Sequence, residues 1–247
     1  MRPLVSNDGR VLVVAVDHPL YSWPCVGLED PAALINHVVA AGADAIICSY
    51  GTLRNHREAF GSAIPILKLD LTTVAIGGHY PLSEYVIAWT IDDAIRIGAG
   101  AVLTFVQLGA DFELEALRSA ARIAAEADRA GIPYVCEIMP VESSRYPDPA
   151  APLAITAACR VSAELGAHLT KTTMPTPPAA VADAAAFGVP VILAGGDPVK
   201  DRDALYANVS EALNAGAAGV AFGRNVWGDA DPSGTVMRLQ GIVHGTQ

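Results

Sequence analysis

Lysine is rare in this chain, and the position of one lysine points to amine chemistry. Of the 16 basic residues in the 247-residue sequence, only Lys68, Lys171 and Lys200 are lysines. Lys171 ends a predicted strand in the stretch AHLTKTTMP, where alternation places Leu169 and Lys171 on one face. A lysine partly removed from water loses its proton more readily and can attack a carbonyl carbon to form a Schiff base. The alternatives are an ion pair inside the sheet or a contact with a substrate phosphate.

Asp17 and His18 end another apolar stretch, VLVVAVDHP. A carboxylate beside the lysine can carry a proton during carbinolamine formation, and an imidazole can act as acid or base. Adjacent residues of a strand point to opposite faces, so both side chains reach one site only if the strand ends before them. The alternative is structural, with Asp17 capping the next turn and His18 donating to the backbone.

Lys68, Asp70 and Glu137 are further charged residues in apolar surroundings. Lys68 and Asp70 lie two residues apart in ILKLDLTT and therefore share a face, and Glu137 ends the run YVCEIMP. We expect Lys68 to contact a phosphate or hydroxyl, and Glu137 to carry a proton or bind substrate hydroxyls. A structural Lys68–Asp70 or Lys68–Glu137 ion pair is an equally strong interpretation. Lys200, in DPVKDRD, is predicted to lie at the surface.

Two glycine-containing turns, AGGD at 194–197 and FGRN at 222–225, follow predicted strands. Exposed backbone N–H groups bind anions in such turns, and a guanidinium forms paired hydrogen bonds with phosphate. The alternative is that the glycines only permit tight turns with positive φ. We predict phosphate binding by Gly195, Gly196, Gly223 and Arg224.

No metal or cofactor site is predicted. The six histidines show none of the HxH, HxxxH or HExxH spacings, and a metal site would have to be assembled across loops, for instance from His18, His79 and Glu137. The sequence also lacks a GxSxG nucleophile elbow and a Walker-type phosphate loop. The predicted chemistry therefore depends on side chains alone.

Eight short apolar runs alternate with longer helical patterns such as Glu113–Arg129 and Asp201–Ala215. Nearly continuous apolar runs are typical of parallel strands that are buried on both faces. The predicted strands are Val11–Asp17, Ala45–Ser49, Ile64–Asp70, Ala101–Val106, Tyr134–Met139, His168–Thr172, Val189–Ala194 and Gly219–Phe222.

A glycine lies between a helical pattern and the following strand at six places, which are Gly42, Gly98, Gly131, Gly166, Gly188 and Gly216. Helices commonly end at such a glycine. Eight strand–helix units predict a single α/β domain over residues 1–247, folded as a (β/α)8 TIM barrel. A doubly wound sheet is the alternative, but the first strand–helix turn carries no GxGxxG motif. In a barrel the chemistry lies at the carboxyl ends of the strands, where the candidate residues fall.

The composition excludes several kinds of partner. A formal net charge of −10 argues against nucleic acid and anionic membranes, and no apolar run reaches the roughly 18 residues that a membrane span needs. Four widely spaced cysteines without a CxxC pair, and an N-terminus without an apolar signal, predict buried free thiols in the cytoplasm.

The sequence resembles the DeoC/LacD-type class I aldolases along nearly its whole length. The matching stretches are VDH with WPCVGLED after it, ILKLDLTT, HLTKTTMP, VILAGG and GAAGVAFGRNVWGDADP. Within that family the chain is most similar to the archaeal-type fructose-bisphosphate aldolase branch, which includes a heptulosonate synthase. The resemblance implies that Lys171 is the Schiff-base lysine and Asp17 an active-site carboxylate. It also implies a phosphate near 195–196 and 223–224.

Three positions depart from the pattern of the aldolase branch. Pro19 follows Asp-His where the branch usually has glycine, and Trp23 also replaces a usual glycine. Met139 stands where the branch carries its proton-transferring tyrosine. Candidates for that role in this chain are Tyr146, Glu137 and His18.

We predict a metal-independent class I aldolase that breaks or forms a carbon–carbon bond in a phosphorylated ketose. Its chemistry would be carried by Lys171, Asp17, His18 and Glu137, and its partner would be a small sugar phosphate. The alternatives are a synthase or transaldolase-type transfer with the same lysine, or a barrel that binds a phosphosugar without turnover. A homo-oligomer is expected because family members commonly form rings, with Trp89 and Trp227 as candidate interface residues.

Overall fold

A computed structural model describes residues 4–72, 75–76 and 84–245 of the chain. Its centre is a closed barrel of eight parallel strands, each paired with its neighbours in the sequence, and the last paired with the first. The strands are β1 (Val11–Ala15), β2 (Ala45–Cys48), β3 (Ile64–Lys68), β4 (Ala101–Leu108), β5 (Tyr134–Pro140), β6 (Leu169–Thr173), β7 (Val191–Ala194) and β8 (Gly219–Phe222).

Helices follow the strands and surround the barrel, so the fold is the predicted (β/α)8 TIM barrel. They are α1 (Pro31–Ala40), α2 (Tyr50–Asn55), α3 (Ile91–Ile97), α4 (Glu113–Ala130), α5 (Pro152–Glu164), α6 (Val181–Ala185), α7 (Arg202–Asn214), α8 (Arg224–Trp227) and α9 (Pro232–His244). Short 3₁₀ turns cover His18–Leu20, Arg57–Phe60 and Pro178–Ala180.

All eight predicted strands exist, but three of them end earlier than predicted, and β2 is one residue short because it ends at Cys48. β1 ends at Ala15, and Asp17 directly precedes the 3₁₀ turn His18–Leu20, to which its side chain gives no capping hydrogen bond. Pro19 lies in the first turn of that helix, where its missing N–H needs no partner. β3 ends at Lys68, and Asp70 begins a separate strand, Asp70–Thr72, that pairs antiparallel with Tyr85–Ile87.

Alternation along the strands divides the apolar residues between two cores. One core lies between the strands and the surrounding helices. The other fills the barrel interior and includes Ile66, Leu103, Val135, Leu169 and Ile192, all fully buried. Two residues beyond Ile66, Val135 and Leu169 come Lys68, Glu137 and Lys171, which therefore point into the same interior. An apolar floor thus supports a charged layer at the carboxyl ends of the strands.

The sequence accounts for several helix boundaries. The side chains of Asp30, Ser49, Thr90, Asp201 and Asp231 accept backbone N–H bonds at the starts of α1, α2, α3, α7 and α9. α3 and α4 end at Gly98 and Gly131, which adopt left-handed conformations with φ of 82° and 68°. The capped helix starts lie on the side of the barrel that carries the charged layer, and the two glycine-ended helix termini lie at the opposite end.

The four cysteines are buried and free, as predicted. Within the described residues, no helix combines the length and the apolar character needed to cross a membrane.

An ion-paired histidine ties α9 to the amino-terminal end of the barrel, opposite the charged layer. His244 Nδ1 lies 2.7 Å from Asp8 Oδ2, and Nε2 lies 2.9 Å from Asp44 Oδ2. Asp44 Oδ2 also accepts the backbone N–H of Leu12 at 2.6 Å. Burial disfavours the imidazolium, but the two carboxylates outweigh it and raise the pKa of His244 above 6.5.

The His244 contacts are expected to stabilise the fold in mildly acidic solution and to weaken in alkaline solution. A histidine whose pKa is higher in the folded than in the unfolded state stabilises the fold. This stabilisation is complete when the pH is below the unfolded-state pKa, and it is lost as the pH rises through the folded-state pKa. His244→Gln should therefore lower stability by about 1 kcal/mol near pH 6 and by less near pH 9. Thermal unfolding at both pH values measures this, with the exposed His37→Gln as control. An equal loss at both pH values would contradict the argument.

Candidate active site

A cavity of about 1180 Å³ opens at the carboxyl ends of the strands. The nine residues predicted to carry the chemistry or to bind the substrate all line it: Asp17, His18, Lys68, Glu137, Lys171, Gly195, Gly196, Gly223 and Arg224. Their convergence follows from barrel closure, because each belongs to a strand end or to the loop after it.

Lys171 and Glu137 form the central charged pair of the cavity. The two residues are register partners on β6 and β5, and Lys171 Nζ lies 2.6 Å from Glu137 Oε1. Their side chains are only 7% and 9% exposed, yet both line the cavity. A carboxylate in direct contact with the amine can take its proton, which leaves a nucleophile facing the cavity.

Lys68 forms a second pair, with Asp70. Lys68 Nζ lies 2.7 Å from Asp70 Oδ1 and 5.0 Å from the centre of the Phe105 ring. Asp70 Oδ2 accepts the backbone N–H of Phe105 at 2.5 Å. Of the two ion pairs suggested by the sequence, the one in direct contact is Lys68–Asp70.

The ammonium of Lys68 is stable in this buried position. Burial lowers its pKa, but the nearby carboxylates of Asp70, Glu137 and Asp17 outweigh burial and raise the pKa above 10.5. Lys68 therefore supplies a fixed positive charge beside the pair of Lys171 and Glu137, rather than a neutral amine.

Asp17 and His18 both reach the cavity because β1 ends before them. Asp17 is 2% exposed, and its Oδ1 has no hydrogen-bond partner among the described residues. His18 Nδ1, 3.7 Å from that oxygen, likewise has none within the same part of the chain. Buried polar atoms are normally satisfied, so these two atoms are available for a bound molecule.

The His18 imidazole is neutral at physiological pH. Burial, and then the positive charges of Lys171 and Arg224, lower the pKa of His18 to about 3. Its ring packs at 5.1 Å from that of Tyr21 and edge-on at 5.2 Å from that of Trp227. A neutral imidazole held in this way can donate one hydrogen bond and accept another.

The glycine turns after β7 and β8 lie side by side at the cavity wall. A Cβ on Gly223 would lie 2.7 Å from His18 Cε1, and one on Gly195 would lie 2.8 Å from the Phe222 ring. Gly196 has a φ of 65°, which only glycine adopts easily. Positive φ therefore explains the glycine at 196, and close approach explains those at 195 and 223, while phosphate binding by these turns stays a prediction.

Asn225 and Arg224 join the two turns. The buried Asn225 side chain donates to the carbonyl oxygens of Gly195 at 2.8 Å and Asp197 at 3.0 Å, and accepts the N–H of Val199 at 3.0 Å. Arg224 forms an ion pair with Asp197, which is exposed. The loop after β7 is thus fixed to the start of α8.

Some residues considered from the sequence lie away from the cavity. Tyr146 does not line it, and its ring lies against Gly109 instead. Trp227, unlike Tyr146, lines the cavity; it is buried within the chain and donates to the carbonyl oxygen of Ala15 at 3.1 Å, which leaves little of its ring for the subunit contact suggested from the sequence. Lys200 is exposed, as predicted. His79 lies outside the described residues.

Phe105 and Asn225 contribute contacts that the sequence argument missed. Alternation along β4 places Phe105 on the same face as Leu103, which is the signal in the sequence that could have identified it. Asn225 was noted as a turn residue, but its three hydrogen bonds depend on two loops that are distant in sequence. Within the described residues, no three His, Cys, Asp or Glu side chains are arranged to hold a metal ion.

The sequence profile of the DeoC/LacD family aldolases matches residues 11–229. A 2-amino-3,7-dideoxy-D-threo-hept-6-ulosonate synthase from Halobacterium salinarum is 34% identical, over 97% of this chain and 89% of the relative. A 2-amino-4,5-dihydroxy-6-oxo-7-(phosphonooxy)heptanoate synthase from Streptomyces griseus is 31% identical, over 96% of this chain and 86% of the relative.

Among solved structures, that of an archaeal fructose-1,6-bisphosphate aldolase superposes with a TM-score of 0.88 and 27% identity. The match covers 98% of this chain and 97% of that chain. In that structure the catalytic lysine is covalently bound to the carbinolamine intermediate of the substrate.

Proposed function

Because the chain belongs to the DeoC/LacD family and is a class I, Schiff-base aldolase, we propose that Lys171 is the lysine that attacks the substrate ketone. The observation that carries the proposal is the contact of 2.6 Å between Lys171 Nζ and Glu137 Oε1 inside the cavity. Lys68, the other cavity lysine, is held by Asp70 instead. Only Lys171 therefore combines access to the cavity with a carboxylate that is itself part of the cavity wall.

Glu137 and Asp17 would share the proton transfers. Glu137 takes the proton of the Lys171 ammonium, the amine adds to the ketone carbon, and the returned proton lets the hydroxyl leave as water. The iminium then accepts the electrons of the breaking carbon–carbon bond. At the same time, Asp17 removes the proton from the hydroxyl group on the carbon that leaves as the aldehyde. An aldehyde leaves, and protonation and hydrolysis of the enamine release the second product and the lysine. Glu137 would thus perform the proton transfer that the aldolase branch assigns to a tyrosine at the position of Met139.

His18 would position a substrate hydroxyl rather than supply a proton. With a pKa of about 3 it carries no exchangeable positive charge near neutral pH. Its unpartnered Nδ1 lies beside the unpartnered Asp17 oxygen, so one hydroxyl can bind both groups. Such orientation holds the reacting hydroxyl near its base.

The phosphate of the substrate would bind at the turns after β7 and β8. Gly195, Gly196 and Gly223 bring backbone close to the cavity, and Arg224 adds a guanidinium at its edge. Lys68 supports this proposal as a buried positive charge in the same cavity, where it attracts the anion without leaving Asp70.

A synthase that uses the same lysine is a second candidate. It is favoured by the two relatives above, which are at least 31% identical and are named as synthases. Both candidate reactions proceed through the Schiff base. They differ in whether the carbon–carbon bond is broken or formed, and in the identity of the second reactant. A panel of aldehydes and ketoses separates them.

We further propose a homo-oligomer that works in the cytoplasm in carbohydrate metabolism. The four buried free cysteines are typical of a reducing compartment. Sedimentation of the purified protein tests the assembly.

Borohydride trapping tests the main proposal. Incubation with dihydroxyacetone phosphate and sodium borohydride is expected to give one reduced adduct per chain, and peptide mass spectrometry should locate it on Lys171. With three lysines in the chain, the assignment has only two competitors, Lys68 and Lys200. An adduct on Lys68 would contradict the proposal, as would the absence of any adduct with every ketose that is turned over.

A further inference from the structure

The charges that line the cavity are unevenly distributed around the barrel. Among the described residues, its lysines and arginines are Lys68, Lys171 and Arg224. Each is paired with one carboxylate, namely Asp70, Glu137 and Asp197 in that order. Only Arg224 lies at the turns after β7 and β8, so that side has one guanidinium and the backbone of three glycines to bind an anion.

The opposite side of the cavity carries carboxylates instead. Asp111 follows β4 and Glu142 follows β5; both line the cavity and both are exposed. In the closed order of eight strands, β4 lies four positions from β8 and therefore directly across the barrel. Arg145, the nearest basic residue in sequence, is paired with Glu113. In the described part of the chain, neither carboxylate has a basic partner.

Outside the described residues, the chain has one further arginine and no lysine. Residues 73–74, 77–83 and 246–247 contain neither, and residues 1–3 contain Arg2. Within the described residues, a phosphate on the far side of the cavity would therefore face two carboxylates and no guanidinium or ammonium that offsets them. Carboxylates repel a phosphate that is brought close to them, and such repulsion contributes to specificity alongside attraction.

We infer that this aldolase is specific for substrates with a single phosphate, bound on the β7–β8 side, and that Asp111 and Glu142 reject a second phosphate at the other end. The inference rests on the proposed function of Lys171. β7 and β8 lie one and two strands from Lys171, or roughly 5 to 10 Å, which suits a phosphate on the carbon next to the ketone. The remote end of the substrate is then an unphosphorylated, hydroxylated chain that points towards β4 and β5.

Aldol synthesis tests the inference with one phosphorylated donor and two acceptors. The enamine of dihydroxyacetone phosphate attacks the aldehyde carbon, the aldehyde oxygen takes a proton, and water releases the ketose from Lys171. Glyceraldehyde gives a ketose 1-phosphate, whereas glyceraldehyde 3-phosphate gives a 1,6-bisphosphate. We expect kcat/KM to be at least about tenfold higher for glyceraldehyde, and this preference should shrink in high salt, which screens exposed charges.

A binding measurement decides the question even without turnover of this donor. Hexitol 1-phosphate and hexitol 1,6-bisphosphate have a hydroxyl in place of the ketone, so they neither form a Schiff base nor undergo cleavage. The wild-type protein should be stabilised against heat at lower concentrations of the monophosphate than of the bisphosphate. Equal or tighter binding of the bisphosphate overturns the inference.

Charge-reversal variants assign the effect to the two carboxylates. Asp111→Arg with Glu142→Arg should lower the preference for glyceraldehyde at least about tenfold, mainly by improving kcat/KM for the phosphorylated acceptor. The matched control, Asp128→Arg, changes an exposed carboxylate near the end of α4, at the opposite end of the barrel. An equal change in the control would show a general charge effect and contradict the assignment.

The same experiments separate this inference from the proposed function. If borohydride labels Lys171 but the bisphosphate is preferred, the specificity argument fails and the Schiff-base proposal stands. If no adduct forms on Lys171 while monophosphates still bind more tightly, the proposed chemistry fails and the charge argument stands.

Discussion

Replacement of Lys171 by arginine is expected to lower turnover by roughly 10⁵-fold, because a guanidinium stays protonated and cannot attack a carbonyl carbon. Arginine keeps the positive charge that faces Glu137, so the carboxylate is not left buried without a partner. The variant should therefore remain folded, with a cooperative thermal transition. Steady-state kinetics and borohydride trapping measure the loss, and the trapped adduct should disappear together with turnover.

Two comparisons make the Lys171 result specific. Lys200→Arg changes an exposed lysine and should leave kcat and KM unchanged. Lys171→Met removes the charge as well, and should lose stability through the unpaired Glu137 in addition to activity. Lys171→Arg that retained more than a small fraction of wild-type turnover would rule out an essential Schiff base at this position.

Glu137→Ala is expected to reduce kcat by roughly 10²- to 10⁴-fold, the usual contribution of a general acid or base. The contact of 2.6 Å with Lys171 Nζ makes Glu137 the nearest acceptor for the amine proton. Added formate should restore part of the activity, because a small carboxylate can enter the space left by the side chain. A merely structural role would lower stability but would not respond to formate.

The Glu137 prediction also needs conservative variants. Glu137→Gln keeps the size of the side chain without its basicity and should be as slow as Glu137→Ala, but without rescue by formate. Glu137→Asp should be intermediate, because its carboxylate is one methylene farther from the amine. Full activity in Glu137→Gln would assign the proton transfers to Asp17 or another group.

The sequence predicted the barrel and the convergence of the site because both depend on local patterns. Apolar runs identified all eight strands, and alternation placed Lys171 on the same face as Leu169, which in the structure is the interior face. Ion-pair partners were harder, because they depend on strand register. Glu137 contacts Lys171 since the two are neighbours across β5 and β6, and no local pattern encodes that pairing.

Strand ends and loop contacts were the other limits of prediction. The position where β1 ends decides whether Asp17 and His18 share a cavity, and Pro19 was a signal for an early end. Trp227 was one of two candidate interface residues, yet within the chain it packs beside His18. Its burial depends on the turn after β8 meeting the loop after β1, a contact between opposite ends of the sequence.

The charged layer above the apolar floor of the barrel affects how the substrate preference of such an enzyme can change during evolution. The residues beneath Lys171, Glu137 and Lys68 on the same strands are fully buried in the apolar floor. Most substitutions around these three side chains would therefore lower the stability of the fold. Asp111 and Glu142 lie in exposed loops, where substitution is tolerated. Selection can therefore alter the range of aldehydes accepted without disturbing the amine chemistry, and new substrate preferences should arise first through drift in the loops after β4 and β5.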